Sequence, residues 1–330
     1  DITVLGRAHI EKNLREVKDI CQYFLGIDPA EKWIPVRPTQ HYSMGGIRTD
    51  HRGESPWLRG LFACGEVACW DMLGFNRLGG NSVAETVVSG MLVSEYVADF
   101  CAAPEGEIDI STALAKEFLG REQAKLAALL DTKGSEHPVA LRKRMEQVMM
   151  RKVGLFRNGP HLAEAVEELK DLLQRSRKVG VCCRHPAANP ELVLAYRLPK
   201  MLKIALGVAM GALRRTESRG AHFREDHPER NDRDWLKRTL FSWPGAGDDP
   251  PSLEYEPLDI KSMELPPGFR GYGTKNIVEH PETATRQADV DATQAGSRDR
   301  YAVQEALMPF RHLLPEQYRA NNERVQERER

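Results

Sequence analysis

The chain has 330 residues, with 47 basic and 48 acidic side chains, a formal net charge of −1 and 41% hydrophobic content. That balance lacks the basic excess of a nucleic-acid binder, and the length supports one large domain or two to three smaller ones with material for a buried core. No apolar run approaches the ~18 residues a membrane span needs, so any membrane contact is expected to go through a partner.

From the amino end, residues 8–25 place Ile10, Leu14, Val17, Ile20 and Phe24 at helical spacing, with Gly26 positioned to close the helix. Pro35 and Pro38 exclude helix from residues 33–50, and Gly45-Gly46 forces a turn. Residues 58–64 (LRGLFAC) predict a short buried strand. Residues 83–100 are apolar nearly all round and predict a buried helix, as do residues 204–213. Segments 111–131, 137–153 and 161–177 combine helical periodicity with many charges and predict a bundle of exposed antiparallel helices. A further helix over 191–215 contains Pro199, which should kink or divide it. Residues 241–275 read as loops with a short strand, 280–300 as a polar linker, and 301–330 as a last helix ending in the charged run NNERVQERER, a solvated face or a docking arm.

The six cysteines, Cys21, Cys64, Cys69, Cys101, Cys182 and Cys183, show no CxxC spacing, which argues against an iron–sulfur cluster or metal site within the chain. They read as reduced, mostly buried thiols of a cytoplasmic protein. The chain opens on Asp1 without a charged-then-apolar leader, which predicts a piece of something longer. There is no GxGxxG turn after a strand; Gly268, Gly271 and Gly273 follow two prolines and read as a plain loop.

Two clusters could carry chemistry: RPTQHYSMGG at 37–46, and Gly65-Glu66 followed by GFNRLGGNS at 74–82. In the second, Ser82 and Glu85 have capping-box spacing at the head of an apolar helix. The exposed N–H groups and positive dipole end of such a helix, with glycines just before it, suit an anion or an electron-rich acceptor. A capped helix after a tight turn, without ligand, explains the same residues. Arg77 could hold a carboxylate with two parallel hydrogen bonds, or be an ordinary ion-paired arginine. His41 could donate to a carboxylate or shuttle protons, or bond to backbone as most lone histidines do.

The order of the stretches narrows these choices. IPVRPTQHYSMGGI, GLFACGE, GFNRLGGNSVAETVVSG and, at 214–240, RRTESRGAHFREDHPERNDRDWLKRTL closely resemble the flavoprotein subunits of fumarate reductase and succinate dehydrogenase, most of all the menaquinol:fumarate reductase branch. The resemblance runs from residue 1 to about 275 and implies an α+β, mostly helical fold. It divides into the end of a capping domain (1–33), the returning part of an FAD-binding α/β domain (34–103), a helical domain (104–240) and a loop-rich carboxy-terminal region with a helical tail (241–330).

By the same resemblance, His41 and Arg77 bind a dicarboxylate and Glu66 holds the FAD ribose. The backbone of Asn81, Ser82 and Val83 faces the flavin pyrimidine, and Tyr42 with Met44-Gly45-Gly46 lines the isoalloxazine. Hydride exchange at flavin N5 would interconvert fumarate and succinate, with electrons passing to or from an iron–sulfur subunit and a membrane cytochrome b. The complex would sit at the inner face of the cell membrane. The family's proton-transferring arginine, dinucleotide-binding glycines and flavin-linking histidine are expected upstream, so this segment alone is expected to be inactive. Leu73 stands where the family usually has histidine, a departure beside the flavin. The helical region and 214–240 are candidate docking surfaces. An L-aspartate oxidase-like flavoenzyme and a non-catalytic helical interaction module are the alternatives.

Overall fold

Asn-Gly-Pro at 158–160, His-Pro at 137–138 and Asn-Pro at 189–190 each put a side-chain acceptor just ahead of a proline, a strong signal for a helix start. The computed structural model, which describes residues 1–37, 41–103, 112–185, 187–243 and 251–258 together with 288, 291 and 295, begins a helix at each of them. It divides into two units, Asp1–Ser43 and Met44–Arg330.

In the first unit, α1 (Arg7–Asn13) and α2 (Arg15–Ile20) continue into a π turn over Cys21–Leu25. The single helix expected over 8–25 is interrupted at Leu14, whose φ −126° and ψ 34° leave the helical region. The apolar spacing continues across this break, so periodicity could not reveal it. Gly26 ends the segment in the left-handed region at φ 64°, as expected. Ile10 and Cys21 are buried, and Arg7 ties the helix to the following turn through Asp28 at 2.8 Å and Glu31 at 2.5 Å.

The second unit opens with β1 (Ile47–Arg48) paired in parallel with β2 (Ala68–Cys69). The strand expected over 58–64 is instead a turn with one bridge, Phe62 to Glu54, because Gly60 at φ 78° reverses the chain before a ladder can extend. Next comes α3 (Asn81–Ala102). Only Ser89 and Val93 are buried in it, while Val83, Val87, Val88 and Met91 stand exposed, so the all-round burial expected of this helix is corrected to one face.

A bundle follows: α4 (Thr112–Asp131), α5 (Pro138–Lys152), α6 (Gly159–Arg175) and α7 (Pro190–Arg214). Asn158 Oδ1 accepts from His161 N–H at 3.0 Å, and Asn189 Oδ1 from Leu192 N–H at 3.0 Å, capping α6 and α7. Leu162, Leu169 and Leu172 of α6 interlock with Leu198, Leu202 and Leu206 of α7 and with Leu141 and Val148 of α5. Each such leucine is worth roughly 1.5–3 kcal/mol when fully buried. Pro199 sits inside α7 without dividing it; the buried leucines on either side hold the helix through the missing N–H. The outward side of α7 still carries exposed Ile204 and Val208, correcting the burial expected over 204–213.

Two short pairings complete the unit. β3 (Phe156–Arg157) runs parallel to β4 (Phe223–Arg224), and after a short α8 (Asp232–Trp235), β5 (Lys237–Ser242) pairs antiparallel with β6 (Ser252–Pro257). The hairpin rests on α7 at Gly207, where a Cβ would meet the Phe241 ring at 2.8 Å. Within the linker expected over 280–300, residues 288, 291 and 295 are helical; the rest of it, the 268–273 glycines and the tail over 301–330 lie outside the described residues. All six cysteines are free, but only Cys21 is buried, so the expectation of mostly buried thiols is corrected. No described helix is long and apolar enough to cross a membrane.

Candidate functional site

The segment from Gly65 to Val83 carries five of the expected binding residues, Glu66, Arg77, Asn81, Ser82 and Val83, and its shape follows from its glycines. Gly65, at φ 70°, donates its N–H to Ser89 Oγ of α3 at 3.3 Å and starts a 3-10 turn through exposed Glu66 to Val67. Gly46 packs so closely that a Cβ there would lie 2.1 Å from the Val67 carbonyl oxygen. That contact sets Gly46 against Val67, the residue after Glu66, with Thr49 N–H donating to Cys69 O at 3.2 Å to hold the pairing.

Beyond β2 the chain makes a loop to α3. Asp71 (φ 72°) and Gly74 (φ 58°) turn it, Arg77 is half-buried with Nη1 3.4 Å from Leu78 O, and Gly80 (φ 81°) leads into the helix. The expected capping box is absent: Gly80 occupies the N-cap with no side-chain acceptor, which moves Ser82 inside the first turn. There its carbonyl accepts from Thr86 Oγ1 at 2.7 Å, and Glu85 Oε2 is buried without a hydrogen bond. The helix start is nonetheless open. A Cβ at Gly79 or Gly80 would meet nothing within 4 Å, and Asn81 and Val83 are exposed. His41 and Tyr42 lie at the end of the first unit, His41 exposed and Tyr42 half-buried.

Charged side chains distant in sequence fix this segment from behind. Glu256 of β6 accepts from Arg48 Nε and Nη2, both at 3.1 Å, and pairs with Arg238 Nη1 at 2.5 Å; Arg238 in turn holds Asp71, Nε to Oδ1 at 3.0 Å. The two guanidiniums pull the Glu256 carboxyl down to about 2, the Arg48 hydrogen bond contributing most.

Deeper still, Glu217 is 0% exposed and accepts from Arg215 Nη1 at 2.6 Å, Arg219 Nε at 2.8 Å and Asn231 N–H at 2.9 Å. His222 accepts at Nδ1 from Arg157 Nη1 at 2.8 Å and lies with Nε2 3.2 Å from Arg215 O, so its neutral ring donates from Nε2. Burial, with the Arg157 charge second, pushes His222 down to about 4. Within 214–240, Arg215, Glu217, His222, Arg224 and Asp232 face inward, because each finds its partners there, while Arg214, Glu225, Asp226, Glu229, Arg233 and Asp234 stand exposed. Charge patterning alone gives no sign of that.

His137, Cys182 and Glu191 also converge, with ligand-type atoms within 4.8 Å of one another. Val139 N–H donates to His137 Nδ1 at 3.3 Å, which leaves the neutral ring's proton on Nε2, 3.1 Å from Glu191 Oε1. Glu191 Oε2 accepts from the Cys182 and Cys183 amides at 2.9 and 3.1 Å. The trio ties the start of α5 to the turn before α7, and Glu191 Oε1 is buried without a hydrogen bond.

The comparisons bear on this arrangement. Residues 1–83 match the profile of an FAD binding domain, and residues 142–272 that of the fumarate reductase flavoprotein C-terminus. The fumarate reductase flavoprotein subunit of Helicobacter pylori (strain ATCC 700392 / 26695) is 47% identical over 100% of this chain and 50% of its own length. That of Mycobacterium tuberculosis (strain CDC 1551 / Oshkosh) is 35% identical over 83% of this chain and 46% of its own. Among solved structures, a quinol-fumarate reductase with menaquinol molecules superposes with TM-score 0.73 at 33% identity, covering 80% of this chain and 45% of that one. Escherichia coli quinol fumarate reductase FrdA gives 0.72 at 34%, covering 78% and 43%.

An open glycine-led helix start, braced by charged partners, closes the region matched to an FAD binding domain and places the chain among the flavoproteins. The chain spans about half the length of the curated relatives it matches. Within that class it belongs to the fumarate reductase and succinate dehydrogenase flavoprotein family. FAD, the cofactor, fits what is present: the bare Gly79-Gly80 approach lets a flat ring edge come close to the start of α3, where Asn81 N–H is already held by Leu78 O at 3.2 Å and the next amides follow.

Proposed function

We propose that this chain supplies part of the dicarboxylate and flavin site of an enzyme that interconverts fumarate and succinate. The observation that carries the reading is Arg77, held half-buried on a braced loop four residues ahead of the open start of α3. A guanidinium there can grip one carboxylate with paired hydrogen bonds while the helix end faces the ring that reacts. His41 holds the same dicarboxylate, Glu66 binds the FAD ribose, the Asn81–Ser82–Val83 backbone faces the flavin pyrimidine, and Tyr42 with Met44, Gly45 and Gly46 lines the ring. When bound, FAD supplies hydride exchange at N5.

In the whole protein, electrons pass to or from an iron–sulfur subunit and through it a membrane cytochrome b, with the assembly peripheral at the inner face of the cell membrane. The four-domain division at 33, 103 and 240 belongs to this reading, as does the inactivity of this segment alone, whose proton-donating arginine is assigned to another part of the whole protein. The exposed ridge of Val83, Val87, Val88 and Met91 on α3 suits cover by the remainder of the FAD-binding domain. Arg77→Ala in the full-length protein is expected to weaken transition-state binding by roughly 2–5 kcal/mol, read as kcat/KM for fumarate. Near-normal turnover would remove Arg77 from the site.

A further inference from the structure

We propose that the turn Arg219–His222, with Arg215 behind it, is the positioning element for Arg77, acting through Phe75; this rests on the reading of Arg77 as a carboxylate clamp. Phe75 stands two residues before Arg77 and is gripped three ways. Ala221 N–H donates to Phe75 O at 3.2 Å. The Arg215 guanidinium stacks over the Phe75 ring at 4.8 Å. Gly220, at φ 56°, comes so near that a Cβ would lie 2.6 Å from Phe75 Cβ and 2.9 Å from its carbonyl carbon.

The grip is stiff because its parts are. Arg215 is 2% exposed and also donates to Trp235 O at 2.9 Å and Lys237 O at 2.5 Å. Arg219 is pinned by Glu217 at 2.8 Å and by Asp232 at 2.7 Å. A second anchor, Arg238 on Asp71, holds the loop four residues earlier. Between the anchors Met72 is exposed and a Cβ at Gly74 would meet nothing within 4 Å, so this stretch takes its shape from its ends. A paired carboxylate contact tolerates only about 0.5 Å of displacement. A shift of Phe75 is therefore read out at Arg77, which makes dicarboxylate affinity depend on residues about 140 positions along the chain from the clamp.

The test uses the full-length, FAD-loaded enzyme and malonate, a dicarboxylate with no CH–CH bond to oxidise, its affinity read from the flavin absorbance change. Gly220→Ala is expected to raise the malonate Kd and the fumarate KM about tenfold or more, with flavin content retained and a smaller change in kcat. Phe75→Leu, which removes the stacked ring without adding bulk, is expected to act in the same direction, and Phe75→Tyr to restore near-normal affinity. In an Arg77→Ala background the Gly220→Ala effect should vanish, the mark of two residues acting through one contact. If Arg77→Ala weakens malonate binding but loaded Gly220→Ala and Phe75→Leu leave it unchanged, the positioning role is overturned and the clamp stands. If Arg77→Ala itself leaves malonate binding unchanged, the clamp reading fails first. Should Gly220→Ala fail to take up flavin, Phe75→Leu decides the question alone.

Discussion

Acidifying the protein from pH 7 to pH 4 should cost it stability through one buried ring. His222 accepts from Arg157 at Nδ1, so a proton added there would face a guanidinium N–H at 2.8 Å in a site out of contact with water. Its pKa falls from the ordinary 6.5 to about 4. The unfolded chain therefore binds a proton between those values that the folded chain refuses, and stability rises with pH across that window. The contribution is fully present above about 6.5 and lost by about 4; at 1.36 kcal/mol per unit this amounts to about 3 kcal/mol. Urea-unfolding midpoints of the full-length protein, measured in half-unit steps from pH 7 to 4.5, should fall steadily. The same series on His222→Gln, whose amide does not titrate, should be flatter by most of that amount. Asp226 and Glu256, both depressed by their arginines, lose their contributions below the ordinary carboxylate range and leave the upper window to the histidine. Parallel slopes in the two proteins would refute the reasoning.

Glu217→Ala should destabilise by roughly 3–5 kcal/mol, because Arg215 and Arg219 would be left as buried charges without their carboxylate; denaturation shows it, and a loss under 1 kcal/mol would mean the pair is solvated in solution. Leu73→His, placing a polar group on the loop that carries Arg77, should change the flavin midpoint potential or the fumarate KM, checked by spectroelectrochemistry and steady-state kinetics; no change in either would make Leu73 neutral.

How much of this was legible in the sequence depends on the range of each interaction. The starts of α5, α6 and α7 were written locally, by an acceptor side chain followed by proline and a leucine stripe, and the structure follows them closely. The Ser82–Glu85 box failed for an equally local reason. Gly80 enters the left-handed region and takes the cap itself, a choice that the S-x-x-E pattern does not encode. The 58–64 strand failed because an apolar run says nothing about whether a partner strand lies beside it. Motif order led directly to the Arg77 loop and the start of α3. The braces on that loop had no local signature: Asp71 meets Arg238 across 167 residues, and within the charged string at 214–240 nothing local separates buried Arg215, Glu217, Arg224 and Asp232 from the exposed charges beside them.

The link from Arg48 to Glu256 sets an order of events during synthesis. The two residues are 208 positions apart, and at ribosomal rates of about 5–20 residues per second the glutamate emerges roughly 10–40 seconds after the arginine. Throughout that interval the strand beside the double glycine and the loop bearing Arg77 exist without their brace, while the α5–α7 bundle, made of near neighbours, can already close. A nascent chain should therefore acquire a finished helical scaffold first and the braced loop between β2 and α3 last.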